Sequence, residues 1–127
     1  MKFLVMIHTD ASLIEALPEG EYDRLMRGCF DKADALRAEG TLLDYQQLEG
    51  AATARTLRQR EGTMSITDGP FSEAKEVFAG FNLIEAADMD EAIEVAKQFP
   101  WSRFGRIEVR PVRDSDAVRE RVGAAPR

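Results

Sequence analysis

Val77-Phe78-Ala79-Gly80-Phe81-Asn82-Leu83-Ile84-Glu85-Ala86 decides how the rest of the chain is read. It is rich in strand formers and does not alternate with polar residues, so it reads as a strand covered on both faces. Phe3-Leu4-Val5-Met6-Ile7-His8, near the start, has the same character. Such strands belong at the centre of a sheet, and the other elements must cover them.

Working outward, Tyr22, Leu25, Met26, Cys29, Ala33 and Leu36 recur at helical spacing with charges between them, and Gly40 supplies a stop. This predicts a helix from Glu19 to Glu39. Thr41–Leu48 and Thr53–Arg60 read as short strands, and Glu61-Gly62 as a two-residue hairpin turn returning through Thr63–Thr67. Asp88 with Glu91 opens a second helix as a capping box. Its apolar stripe is Met89, Ala92, Ile93 and Ala96, and Pro100 ends it. Ile107, Val109 and Pro111 alternate with Arg106, Glu108 and Arg110, which predicts a half-exposed edge strand. The domain is expected to span residues 1–113, with 114–127 a charged, loosely held tail.

The order β-α-β-β-β-α-β is the split β-α-β, ferredoxin-like α+β pattern with an added β-hairpin. It predicts an antiparallel sheet with both helices on one face. The opposite face of the two apolar strands then needs a cover. Either a second copy packs sheet to sheet, giving a homodimer, or the hairpin around Glu61-Gly62 folds over its own sheet. The homodimer is the expectation carried forward.

A chain of 127 residues, 44% hydrophobic and 31% charged, fits one globular domain with its own core. Its net charge of −6 argues against nucleic acid and membrane surfaces as partners. Cys29 is the only cysteine and His8 the only histidine, so neither an internal disulfide nor a Cys/His zinc site can form within one chain. No metal or cofactor is expected. Cys29 occupies an apolar helix position and reads as a small buried hydrophobe. The apolar run after Lys2 ends at His8-Thr9-Asp10, too short for a membrane span and lacking a small-residue cleavage site, so the expected address is the cytoplasm. Phosphate-binding glycine loops, nucleophile elbows and metal-ligand helices are not found.

Asp68-Gly69-Pro70-Phe71-Ser72-Glu73-Ala74-Lys75-Glu76 is the most distinctive stretch. Asp-Gly-Pro is turn chemistry and delivers Phe71 to one place with little freedom. The plain reading is a rigid corner with a hydrophobic plug; the sharper one is a ligand site. Together with Thr67 and with Gly80-Phe81-Asn82-Leu83-Ile84-Glu85, this stretch resembles the signature of the DGPF group within the YCII-related family. Ile107-Glu108-Val109-Arg110-Pro111-Val112 resembles that group's last strand, and Met1-Lys2-Phe3 its opening. The resemblance implies a ferredoxin-like domain, commonly a dimer whose sheets pack into an α/β barrel. It also implies a histidine-aspartate pair suggested to be catalytic. For DGPF-type relatives it implies a link to sigma factors of the extracytoplasmic-function class. Asp68 matches the motif aspartate, whereas the family's histidine, expected in the first helix, has no counterpart between Glu19 and Glu39.

His8 and Asp68 form the candidate catalytic pair, a carboxylate orienting an imidazole as general base. The plainer reading of His8 is a polar strand end. Gly69, Pro70, Phe71, Phe81 and Asn82 are the candidate binding residues. Asn82 interrupts an apolar strand, and a buried amide must find partners, either in a polar cavity or on a neighbouring backbone. Tyr45, Phe71, Phe81 and Trp101 can wall a cavity or simply fill the core. Arg55, Arg58 and Arg60 make either an anion-binding face or a solvated one. The leading functional expectation is a small-molecule-binding or catalytic domain with a cavity between sheet and hairpin near Asp68 and Phe71, its reaction unspecified. The alternatives are a regulatory protein-interaction module tied to sigma-factor control, without catalysis, and a structural dimer without a site.

Overall fold

The computed structural model describes residues 1–70 and 74–127. The apolar strands β1 (Lys2–Thr9) and β5 (Val77–Glu85) lie side by side and antiparallel at the centre of a four-stranded sheet. The edges are β2 (Leu42–Gln47), paired with β5, and β6 (Gly105–Pro111), paired with β1, giving the order β2-β5-β1-β6 with every pair antiparallel. That order is the split β-α-β arrangement expected from the sequence. Helices α1 (Ala11–Glu15), α2 (Glu21–Ala38) and α3 (Met89–Ala96) join these strands. Leu25, Ala33 and Leu36 of α2 and Ala92, Val95 and Ala96 of α3 bury against Phe3, Val5 and Ile84, so both long helices cover one face. Among the described residues, no helix is long and apolar enough to cross a membrane.

The hairpin is β3 (Arg55–Arg60) and β4 (Thr63–Asp68), a separate two-stranded sheet. Glu61 and Gly62 take φ of 52° and 79°, the left-handed pair that a two-residue turn matched to strand twist requires. Its apolar side chains Leu57, Met64 and Ile66 are 53–64% exposed, so it does not plug the open face of its own sheet.

Local capping explains where the elements depart from the sequence reading. Asp10 caps α1 by accepting from the Ser12 amide, making a helix of what reads as a polar connection. The amide of Glu21 donates to the Pro18 carbonyl, and this turn places the start of α2 at Glu21 rather than Glu19. A 3₁₀ turn at Ala51–Thr53 displaces the start of β3 to Arg55, and another at Pro100–Phe104 follows α3. In the tail, Asp114 caps a further helix, α4 (Ser115–Val122), that buries no residue.

Two glycines set how closely the strands approach. A Cβ on Gly105 would lie 2.1 Å from the His8 carbonyl oxygen, and one on Gly80 would lie 2.6 Å from that of Gln46. Because both obstacles are backbone, Gly105→Ala must push β6 away from β1. We expect it to cost about 1–3 kcal/mol in urea unfolding. Unchanged stability would mean that the two strands do not meet this closely.

Candidate functional site

Strand alternation aims Gly80, Asn82 and Ile84 of β5 at the helices, opposite Ile7, Val5 and Phe3 of β1. At the Ile84 end this layer is solid: Phe3, Val5 and Ile84 are at most 1% exposed. At the Gly80 end there is no side chain, and the small residues Cys29 and Ala33 are among those that α2 turns towards the space. The gap is a cavity of about 470 Å³ between α2 and the sheet.

Its walls are aromatic. Tyr22 and Phe30 of α2, Tyr45 of β2, and Phe99 and Trp101 after α3 all line it. Tyr22 meets Trp101 at 6.1 Å between ring centroids, and Phe30 meets Tyr45 at 6.4 Å; both are tilted pairs favoured by the ring quadrupole. Gln47 Nε2 donates to Tyr22 Oη over 3.2 Å, joining β2 to α2 beside the cavity.

Asn82 and Thr9 supply buried polarity, each 8% exposed. No described residue hydrogen-bonds the Asn82 amide, yet no buried polar atom is sealed without a partner. The amide is therefore open to the cavity. Among the described residues, no Asp, Glu, Lys, Arg or His lines it. Cys29 lines it as a neutral thiol: burial pushes its pKa up, against a smaller opposing effect from Trp101.

A second cluster lies where β1 ends. Asp10 is 5% exposed, and its Oδ1 accepts from the Ser12 amide and hydroxyl at 3.0 and 2.7 Å. Lys75 Nζ stands 3.6 Å from the other oxygen, and Glu76 pairs with Arg106 at 2.8 Å, so these contacts fasten the chain entering β5. The Ser12 hydroxyl above all, with its amide and Lys75, holds the Asp10 carboxyl below the ordinary carboxylate range.

Of the candidate binding residues, Asn82 and Phe81 border the cavity, although alternation aims the Phe81 ring at the opposite face of the sheet. Tyr45 and Trp101, named as possible walls, line it as well. His8 does not border it; its ring packs on Phe78 at 5.4 Å. Asp68 stands on the hairpin, 88% exposed, with its carboxylate 3.1 Å from Arg55 Nε. No hydrogen bond or ion pair between described residues joins His8 to Asp68. The Gly69 amide donates to the Ala54 carbonyl and Thr56 Oγ1 donates to the Gly69 carbonyl, so Asp68-Gly69-Pro70 is a corner tied to the hairpin base. Phe71 lies outside the described residues. Arg58 and Arg60 occupy one face of the hairpin and Arg55 the other, so the three do not form one basic surface. Sequence reasoning missed Tyr22, Thr9 and Gln47. Tyr22 was legible only as a member of the α2 stripe.

The model of the YCII-related domain matches residues 1–116. An uncharacterised protein of Rhizobium meliloti (strain 1021) is 33% identical over 114 residues, covering 88% of this chain and 92% of its own. A solved structure, 5-chloro-2-hydroxyhydroquinone dehydrochlorinase from Burkholderia phenoliruptrix AC1100 in complex with 2,5-dihydroxybenzoquinone, aligns with a TM-score of 0.47. Its identity is 14%, over 89% of this chain and 94% of that one.

Two outcomes follow from the geometry. Asn82→Leu keeps the volume and removes a side-chain amide that no described residue bonds, so stability should be unchanged or rise by up to about 1 kcal/mol in urea unfolding. A loss above about 1 kcal/mol would show that the amide holds the fold together. For Asp10, a depressed carboxyl pKa contributes stability above the unfolded value of about 3.9, lost as pH falls through the lower folded value. The gap in melting temperature between wild type and Asp10→Asn should be widest near neutrality and shrink in acid. A gap independent of pH would remove the bonds to ionised Asp10 from the account.

Proposed function

The chain belongs to the YCII-related family, and we propose that it is a small-molecule-binding domain whose ligand sits in the cavity between α2 and the sheet. The observation that carries this reading is Asn82. Asn82 is 8% exposed as a residue, and its side-chain amide, which no described residue bonds, opens into the cavity, where a ligand can bond it in place of water. The proposal assigns no reaction. Cys29 is held as a thiol and no acid or base lines the cavity among the described residues, so binding is what this geometry supports.

The working unit in this proposal is a homodimer. On the face opposite the helices, Leu4 and Met6 of β1 stand directly across from Leu83 and Phe81 of β5. All four are only partly buried, and Phe78 beside them is 39% exposed. Arg106, Glu108 and Arg110 border this apolar stripe on the β6 side, with Asp44 and Gln46 on the β2 side. An apolar centre inside a charged rim is how protein interfaces are built. A second reading, the regulatory interaction module, has the hairpin in its favour. Leu57, Met64 and Ile66 share one uncovered face of an arm that is marginal by itself in water.

Native mass spectrometry of the purified protein tests both halves. We expect a dimer carrying additional non-covalent mass, and a monomer from Leu83→Lys, whose charge falls in the apolar stripe away from the cavity. A monomeric wild type would remove the sheet-to-sheet dimer. A ligand-free dimer whose melting temperature no small molecule raises would move the function to the hairpin face.

A further inference from the structure

We infer that the cavity takes an uncharged aromatic ligand of about two rings, bearing one hydroxyl or carbonyl group that Asn82 hydrogen-bonds; this rests on the cavity being a ligand site. Charge is the first discriminator. No described residue that lines the cavity is ionisable in the neutral range, so a carboxylate, phosphate or ammonium group entering it would lose its hydration without gaining a counter-ion. The walls are the second. Both tyrosines and the single tryptophan of the chain line this one space, together with Phe30 and Phe99. Ring faces and edges presented from several directions select another ring over a flexible chain, through offset and edge-to-face contacts.

The arrangement of polarity supplies the third. On the sheet side Asn82 and Thr9 are polar points, with Gln46 and Gln47 at the β2 edge, where Gln47 already bonds the Tyr22 hydroxyl; Met26, Phe30 and Ala33 of α2 are apolar. A ligand matched to that division has one polar edge on an otherwise apolar body. The Asn82 amide both donates and accepts, so a hydroxyl or a carbonyl meets it equally well. Size follows from volume: about 470 Å³ is at the lower end of pockets that enclose drug-sized molecules of about 300–1,000 Å³, which suits two rings better than one.

The test titrates the intact protein with three molecules of one shape: 2-naphthol, the anion 2-naphthoate, and the saturated decahydro-2-naphthol. Calorimetry gives affinity, and the indole N–H resonance of Trp101, the only tryptophan, reports whether binding occurs in the cavity. We expect 2-naphthol to bind and shift that resonance, with 2-naphthoate and decahydro-2-naphthol each at least about tenfold weaker. Asn82→Leu should weaken 2-naphthol about tenfold, the value of one hydrogen bond to a neutral group. The wild-type series stands without the variant should it fold poorly. Equal or tighter binding of the anion or of the saturated ring, with the Trp101 shift, would overturn the ligand class while leaving the cavity a binding site. Absence of binding by all three, with Trp101 unmoved, would overturn the ligand site itself.

Discussion

The Gln46 carbonyl comes so close to β5 that position 80 can carry no side chain. A Cβ at Gly80 would sit 2.6 Å from that oxygen, against backbone that cannot swing aside. The helix-facing layer of a central strand therefore stops short of one end of the sheet. Neither Cys29 nor Ala33, the small α2 residues nearby, fills the space that results. The next helix-facing residue along the strand is Asn82, whose side-chain amide borders that space with no partner among the described residues. The bare backbone at Gly80, the Asn82 amide and the aromatic side chains of α2, β2 and the turn after α3 all border this one space.

A second constraint acts on the other side of the sheet. Two helices can cover one face of a four-stranded antiparallel sheet, and here both long helices do so. The remaining face keeps an apolar stripe through its two central strands with charged and polar residues along both edges. The hairpin turns its own apolar side chains outward and adds to the uncovered surface. The proposed dimer would cover the stripe from the side of the sheet opposite α2, with Phe81 and Gln46 bordering both surfaces. Leu4 and Leu83 belong to the stripe alone, so assembly can be altered there without touching the cavity lining.

Much of the fold was legible because strand and helix periods speak directly. The unbroken apolar runs at Phe3–His8 and Val77–Ala86 placed the central strands, and the alternation in Ile107–Pro111 placed the edge. Short elements were lost where one side chain decides the outcome, as with Asp10 capping α1 and Asp114 capping α4. The site was legible only in part. Asn82 was visible as a polar break in an apolar strand, whereas the void beside it depends on how far α2 stands from Gly80, a distance no spacing rule contains. His8 drew attention by being the only histidine, yet rarity in composition says nothing about position, and its ring packs on Phe78 outside the cavity. The Asp68 motif has a local explanation, a corner tied to the hairpin base by Gly69, Ala54 and Thr56.

The most direct test of this account is a crystal structure of the purified protein at a resolution that places ordered water. The account predicts α2 standing off the sheet at Gly80, with the Asn82 amide bonded to water or to a non-protein molecule inside an open cavity. A structure in which the side chains of α2 and β2 close over Gly80 and bond the Asn82 amide themselves would contradict it.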